Sequence, residues 1–209
     1  MKSIKQICAL APVIPVLVID DVTIAKPLAQ ALVKGGLPVL EVTLRTEAAL
    51  DVIKAMSEVE GAIVGAGTIL TPEDLSAAKN AGASFGVSPG SSDDLLKAAE
   101  VEGFPLLPGA TTATEVMNLL AQGYDMLKFF PAAAAGGIDM LKSLAGPLPG
   151  VSFCPTGGIN PGNVQAYLAL PNVICVGGTW VTPKEMLAAG DWAGIEQLAR
   201  QASGSASNE

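Results

Sequence analysis

The chain has 209 residues, half of them hydrophobic and 15% charged, which is enough for one domain with a sizeable core. Its 12 basic against 20 acidic side chains leave a formal net charge of −8, which argues against nucleic acid or an anionic membrane as partner. There is no histidine, which excludes Ser-His-Asp triads, Cys-His pairs and histidine-bearing zinc sites; acid–base chemistry falls to carboxylates, lysine, tyrosine or water.

Residues 1–10 are expected to form a helix covering the bottom of the fold. The apolar run ICALAPVIPVLVI (7–19) falls short of the roughly 18–20 residues of a membrane span and is broken by Pro12 and Pro15. Lys2 and Lys5 precede it in the manner of a signal peptide, but its second half is needed as the first strand. Further β-rich runs follow: 13–19 (VIPVLVI), 38–45 (PVLEVTLR), 63–69 (IVGAGTI), 84–88 (SFGVS), 105–109 (PLLPG), 126–130 (MLKFF), 151–156 (VSFCPT) and 173–178 (VICVGG). Segments with helical spacing lie between them, as at 22–34, 47–58, 72–80 and 92–101. Thr71 before Pro72, and Ser92 before Asp93 and Asp94, have the form of helix N-caps. Gly35-Gly36 and Gly82 stand where helices should stop. Residues 203–209 (SGSASNE) read as a frayed tail. Cys8, Cys154 and Cys175 are scattered without metal-ligand spacing and read as small buried residues in a reducing cytoplasm.

Eight strands alternating with helices predict a single α/β domain over 1–209, a closed (β/α)8 TIM barrel with the N-terminal helix across its bottom. An open doubly wound sheet is the alternative. Against it, no strand–GxGxxG–helix unit occurs, and GAGT at 65–68 is too short to serve as one.

Chemistry in such a barrel sits at the carboxyl ends of the strands. Alternation on 38–45 sets Leu40, Val42 and Leu44 on one face and Glu41, Thr43 and Arg45 on the other. With the apolar set against the helices, a carboxylate and a guanidinium project into the mouth; a structural ion pair between them is the competing reading. On 126–130, Met126, Lys128 and Phe130 share a face, which brings an amine to the same mouth unless it snorkels to solvent. Desolvation favours the uncharged form of an amine, and uncharged amines attack ketones to give Schiff bases. The last two strands end in Gly157-Gly158 and Gly177-Gly178, beside Thr156 and Thr179. Glycine lets backbone N–H groups approach an anion and threonine adds a hydroxyl, at the usual phosphate position of these barrels.

In order and spacing, EVTLRT, GAGT, SPG, LPG, LKFFPA, FCPTGGI and VGGTW resemble the 2-keto-3-deoxy-6-phosphogluconate (KDPG) and 4-hydroxy-2-oxoglutarate aldolase family over about residues 8–200. The resemblance implies a class I aldolase without metal or cofactor, a small phosphorylated keto-acid substrate, a homotrimer and a cytoplasmic setting. It implies Lys128 as Schiff-base lysine and Glu41 as general acid/base. Arg45 and Thr68 would hold the carboxylate of the pyruvate half, with Pro89 and Phe130 lining that pocket and Thr156 beside the reacting carbon. Gly157, Gly158, Gly178 and Thr179 would form the phosphate end. Relatives often carry glutamate where this chain has Ala133, and serine where it has Thr179. Two other readings stay open at this point: another phosphosugar enzyme such as an isomerase, and a non-catalytic sugar-phosphate-binding protein.

Overall fold

The computed structural model describes residues 2–204. Its strands are β1 (Val13–Leu17), β2 (Val39–Thr43), β3 (Ile63–Gly67), β4 (Phe85–Val87), β5 (Leu106–Leu107, resumed after Pro108 at Gly109–Ala110), β6 (Met126–Phe129), β7 (Ser152–Pro155) and β8 (Val176–Gly178). Each pairs in parallel with its neighbours in chain order, and β1 pairs with β8. Between β7 and β8 the bridges Phe153 to Val173 and Thr156 to Gly177 complete the ring. The closed (β/α)8 barrel is therefore the architecture, and the open sheet is not.

Two prolines account for the seams. Neither Pro15 nor Pro108 has an N–H, so neither can carry a ladder through. β1 pairs with β8 over Val13–Pro15 and with β2 over Val16–Leu17. β5 likewise pairs with β4 before Pro108 and with β6 after it.

The helices are α1 (Ile4–Cys8), α2 (Ala25–Lys34, entered through a 3-10 turn at Val22–Ile24), α3 (Ala49–Ser57), α4 (Pro72–Asn80), α5 (Asp93–Glu102), α6 (Ala113–Ala121), α7 (Gly137–Ala145), α8 (Val164–Leu168), α9 (Lys184–Ala189) and α10 (Trp192–Ser203). Thr71 and Ser92 cap α4 and α5 as their sequence suggests, and Thr112 with Glu115 forms a reciprocal capping box on α6. Of the tail read at 203–209, Ser203 ends α10 and Gly204 caps it in a left-handed conformation; residues 205–209 lie outside the described residues.

Alternation along the strands separates two apolar compartments. The larger lies between sheet and helices and takes Leu40, Val42, Leu127, Phe129 and Phe153. Phe129 and Phe153 meet edge to face with ring centroids 6.1 Å apart. The smaller fills the barrel interior with Ile14, Val39, Phe85, Val87, Leu107, Met126, Cys154 and Cys175. Ile7 and Cys8 of α1 belong to it, so this short helix closes the amino-terminal end as expected. The predicted strands 13–19, 38–45 and 63–69 all end sooner, at Leu17, Thr43 and Gly67, because the chain turns there into the loops that carry the polar groups.

Candidate active site

On β2, Val39 faces the interior while Leu40 and Val42 face the helices, so Glu41 points inward. On β6, Met126 is interior while Leu127 and Phe129 are outward, so Lys128 points inward as well. The two meet: Lys128 Nζ donates to Glu41 Oε1 at 3.2 Å, with the side chains only 7% and 4% exposed. The backbone N–H of Lys128 donates to the carbonyl of Pro108 at 2.9 Å, and Nζ lies 5.3 Å from the centroid of the Phe130 ring. Both competing readings of the charges fail. Glu41 pairs with Lys128 and not with Arg45, and Lys128 does not reach solvent.

Glycines on β3 make room for Glu41 and for the Phe85 ring. Gly65 stands opposite Glu41, and Gly67 opposite Thr43. A Cβ on Gly67 would lie 2.8 Å from both Cγ and Cδ of Glu41, and one on Gly65 would strike the Phe85 ring. Sequence reasoning missed both roles: it weighed GAGT as a dinucleotide fingerprint and as a family motif, and gave neither glycine a function. The signal was present: two glycines two residues apart on a strand empty one face over two successive levels.

Arg45 lies in the turn beyond β2, with its backbone N–H donating to Thr43 O at 2.8 Å. Its Nε donates to Thr68 Oγ1 at 3.2 Å, and no described residue accepts from its terminal guanidinium nitrogens. Thr68 has φ of 61°, the one non-glycine residue with positive φ among the described residues. For a β-branched side chain that conformation is strained. Pro89 follows β4 half-buried, its carbonyl packed so closely on Gly109 that no Cβ would fit there; Gly109 in turn pairs in register with Lys128. Phe130 thus flanks the amine directly, while Pro89 packs on the strand beside it.

Thr156 is buried at the end of β7, where its hydroxyl fills the space a Cβ on Gly177 would need. Gly157 lies beside Phe130 and Pro131, half-buried, and Gly158 is exposed next to Ala133. Gly178 is buried under the ring of Trp180, which leaves no space for a side chain, and Thr179 is exposed beyond it. Trp180 was quoted in the VGGTW motif without a role, and it supplies the wall at this end. Seven of the eight strands contribute, directly or through the loop that follows, a residue named here.

The three scattered cysteines converge. Cys8, Cys154 and Cys175 are all buried in the barrel interior, beneath the polar layer, and Cys154 Sγ lies 4.0 Å from Thr156 Oγ1. Hydrogen bonding to the Cys154 and Cys8 thiols, reinforced by burial, holds the Cys175 thiol well above its ordinary range, so it stays protonated and is no nucleophile. Among the described residues no three His, Cys, Asp or Glu side chains are grouped to hold a metal ion. A broad groove of about 1000 Å³ between α1, α5 and the turn before β6 lies at the opposite, amino-terminal end of the strands, and Lys5 pairs with Asp125 there at the surface.

Comparison with known proteins shows a family. The family model described as "KDPG and KHG aldolase" matches residues 4–198. The 2-dehydro-3-deoxy-phosphogluconate aldolase of Pseudoalteromonas atlantica is 52% identical over 201 residues, covering 96% of this chain and 94% of that one. A KDPG aldolase of Legionella pneumophila, solved with pyruvate captured as a covalent carbinolamine, superimposes with a TM-score of 0.92 at 46% identity, over 95% of this chain and 97% of its own. The Zymomonas mobilis enzyme solved with 3-phosphoglycerate gives a TM-score of 0.92 at 52% identity, over 97% and 96%.

Proposed function

The chain belongs to the KDPG and KHG aldolase family, and on that premise we propose how its residues perform the reaction. The protein is a carbon–carbon lyase of class I that cleaves KDPG to pyruvate and glyceraldehyde 3-phosphate. The observation that carries the assignment of roles is the buried contact of Lys128 Nζ with Glu41 Oε1 at 3.2 Å in the barrel mouth.

Lys128 passes a proton to Glu41 and attacks the carbonyl carbon C2 of the substrate with the lone pair so freed. Glu41, within hydrogen-bonding reach, carries protons as the carbinolamine forms and then loses water to give a protonated imine. Glu41, directly or through water, takes the proton from the C4 hydroxyl. The C3–C4 bond breaks, its electron pair moves into the imine, and the aldehyde leaves an enamine of pyruvate behind. Protonation at C3 and hydrolysis release pyruvate and restore the amine. The imine is the electron sink, so the scheme calls on no metal or organic cofactor.

Arg45 and Thr68 bind the carboxylate next to C2, the terminal guanidinium nitrogens being turned toward no protein acceptor. Pro89 and Phe130 line the pyruvate pocket, and Thr156 stands beside the reacting carbon. Gly157, Gly158, Gly178 and Thr179 take the phosphate, supported by the half-buried to exposed glycines at the end of β7. The same site accepts 4-hydroxy-2-oxoglutarate, with a carboxylate in place of the phosphate. A homotrimer in the cytoplasm completes the reading and rests on the family; no helix among the described residues is long and apolar enough to cross a membrane.

The test is covalent. Pyruvate with borohydride should add a stable mass at Lys128, and Lys128→Ala should abolish both trapping and cleavage. A Lys128→Ala variant retaining most of its cleavage activity would sink the scheme. Catalytic efficiencies on KDPG and 4-hydroxy-2-oxoglutarate, measured side by side, set the substrate preference.

A further inference from the structure

We propose that Asn160 and Asn163 are positioning residues for phosphate recognition, acting by holding the carbonyl of Gly158 away from the mouth. The proposal rests on the reading of the Gly157-Gly158 loop as the phosphate end. In a trans peptide the C=O and the following N–H point in opposite directions, so whatever anchors a carbonyl also aims an N–H. The carbonyl of Gly157 accepts from the N–H of Ala133 at 3.0 Å, which turns the N–H of Gly158 the other way. The carbonyl of Gly158 accepts from Asn163 Nδ2 at 2.9 Å and from Asn160 Nδ2 at 3.4 Å, which turns the N–H of Ile159 away from the asparagines. No described residue accepts from the N–H of Gly158 or of Ile159.

The amide orientations follow from the network. Asn163 Oδ1 accepts from the N–H of Asn160 at 2.9 Å, and Asn160 Oδ1 accepts from the N–H of Gly162 at 2.9 Å. A backbone N–H can only donate and a carbonyl can only accept, so each Nδ2 is left facing Gly158 O. Such a clamp matters because the loop is otherwise permissive. Gly157 and Gly158 have φ of 101° and 78°, and glycine moves between signs of φ at little cost. Without the amides, the Gly158–Ile159 peptide is free to flip and present its carbonyl oxygen to an incoming phosphate, exchanging a donor for a repulsive acceptor. Neither asparagine touches the reacting atoms, so their effect belongs to binding of the phosphorylated end and not to the imine chemistry.

Asn163→Ala should raise KM for KDPG about ten- to a hundredfold, the worth of one well-aimed hydrogen bond to an anion, and weaken competitive inhibition by inorganic phosphate to the same extent. Its kcat, its trapping of pyruvate by borohydride and its turnover of unphosphorylated 2-keto-3-deoxygluconate should stay near wild type. Asn160→Ala, which loses the longer bond, should show the same pattern at about two- to threefold. An unchanged KM and phosphate inhibition in both variants overturns the proposal, as does an equal loss on phosphorylated and unphosphorylated substrates. If the unaltered protein shows neither a preference for the phosphorylated substrate nor inhibition by phosphate, the phosphate-end reading itself fails and takes the proposal with it. Pyruvate trapping identifies a folded variant, and should Asn163→Ala not fold, Asn160→Ala carries the test.

Discussion

Gly67→Ala should disable the enzyme through Glu41 alone. The backbone at Gly67 lies outside the left-handed region, so alanine adopts it without strain and the consequence falls on whatever the new methyl meets. That methyl would sit 2.8 Å from Glu41 Cγ and Cδ, and closer still to Oε1. Carbon atoms pack at about 3.5–4.0 Å, so the carboxylate must move by about 1 Å. A shift of that size disturbs the 3.2 Å contact with Lys128, and misplacement by about 1 Å in a catalytic arrangement costs about 10²-fold in rate. Overpacking of this kind destabilises a fold by about 1–3 kcal/mol, which the melting temperature reports separately. The rate is read from pyruvate release in a coupled dehydrogenase assay. Gly146→Ala is the control: nothing lies within 4 Å of its Cβ and its φ is −66°, so kcat should hold and stability should rise by up to about 1 kcal/mol. A folded Gly67→Ala protein with kcat within about threefold of wild type refutes the reasoning, because the position of Glu41 would then not govern the rate.

Thr68→Gly relieves the positive φ and removes the acceptor for Arg45 Nε, so stability should hold or rise by about 1 kcal/mol while KM for the keto acid increases. A drop of several degrees in melting temperature would show that the strain is not there. Glu115 accepts from the N–H groups of Thr111 and Thr112, each at 2.8 Å, and these bonds, that to Thr111 first, hold its carboxyl below the usual range. A depressed acid stabilises fully above the ordinary value of about 4.3 and loses that contribution as pH falls through its lowered value. Glu115→Ala should therefore cost about 1 kcal/mol at neutral pH, as lost caps do, and the difference in melting temperature from wild type should close in strong acid. The buried thiols should resist a maleimide in the native protein at pH 8 and react only after unfolding; one fast native thiol would contradict the packing of α1 over the barrel.

Strand number, order and facing were legible because parallel barrel strands are apolar runs punctuated at each end, and parity fixes which side chains turn inward. Lys128 and Glu41 came from parity alone, each being a charge at an interior position of an apolar strand. What sequence left out are contacts between remote elements. The three cysteines show no local spacing, yet β7, the approach to β8 and α1 bring them to one layer. Asn160 and Asn163 were given no role from sequence, because their target, Gly158 O, is defined only once the loop folds back. The early end of β2 before Arg45 was hidden because alternation in the sequence continues past the point where the chain turns.

A buried ion pair is poor evidence for stability, since desolvation can exceed the attraction and an apolar pair of the same volume often serves as well or better. The barrel shows that it can be filled without charge. Two residues below Glu41 and Lys128 on the same strands stand Val39 and Met126, packed with Ile14, Phe85 and Leu107 by ordinary apolar contact. The departures from that pattern lie above it. The pair itself, the glycines at 65, 67 and 109 that clear space, the strained Thr68 and the buried hydroxyl of Thr156 all gather at the carboxyl ends of the strands. Local rules obeyed in one layer and broken together in the next are not explained by folding, which gains nothing from the breaks. They are explained by a cavity that must hold an amine, a carboxylate and a keto acid in contact.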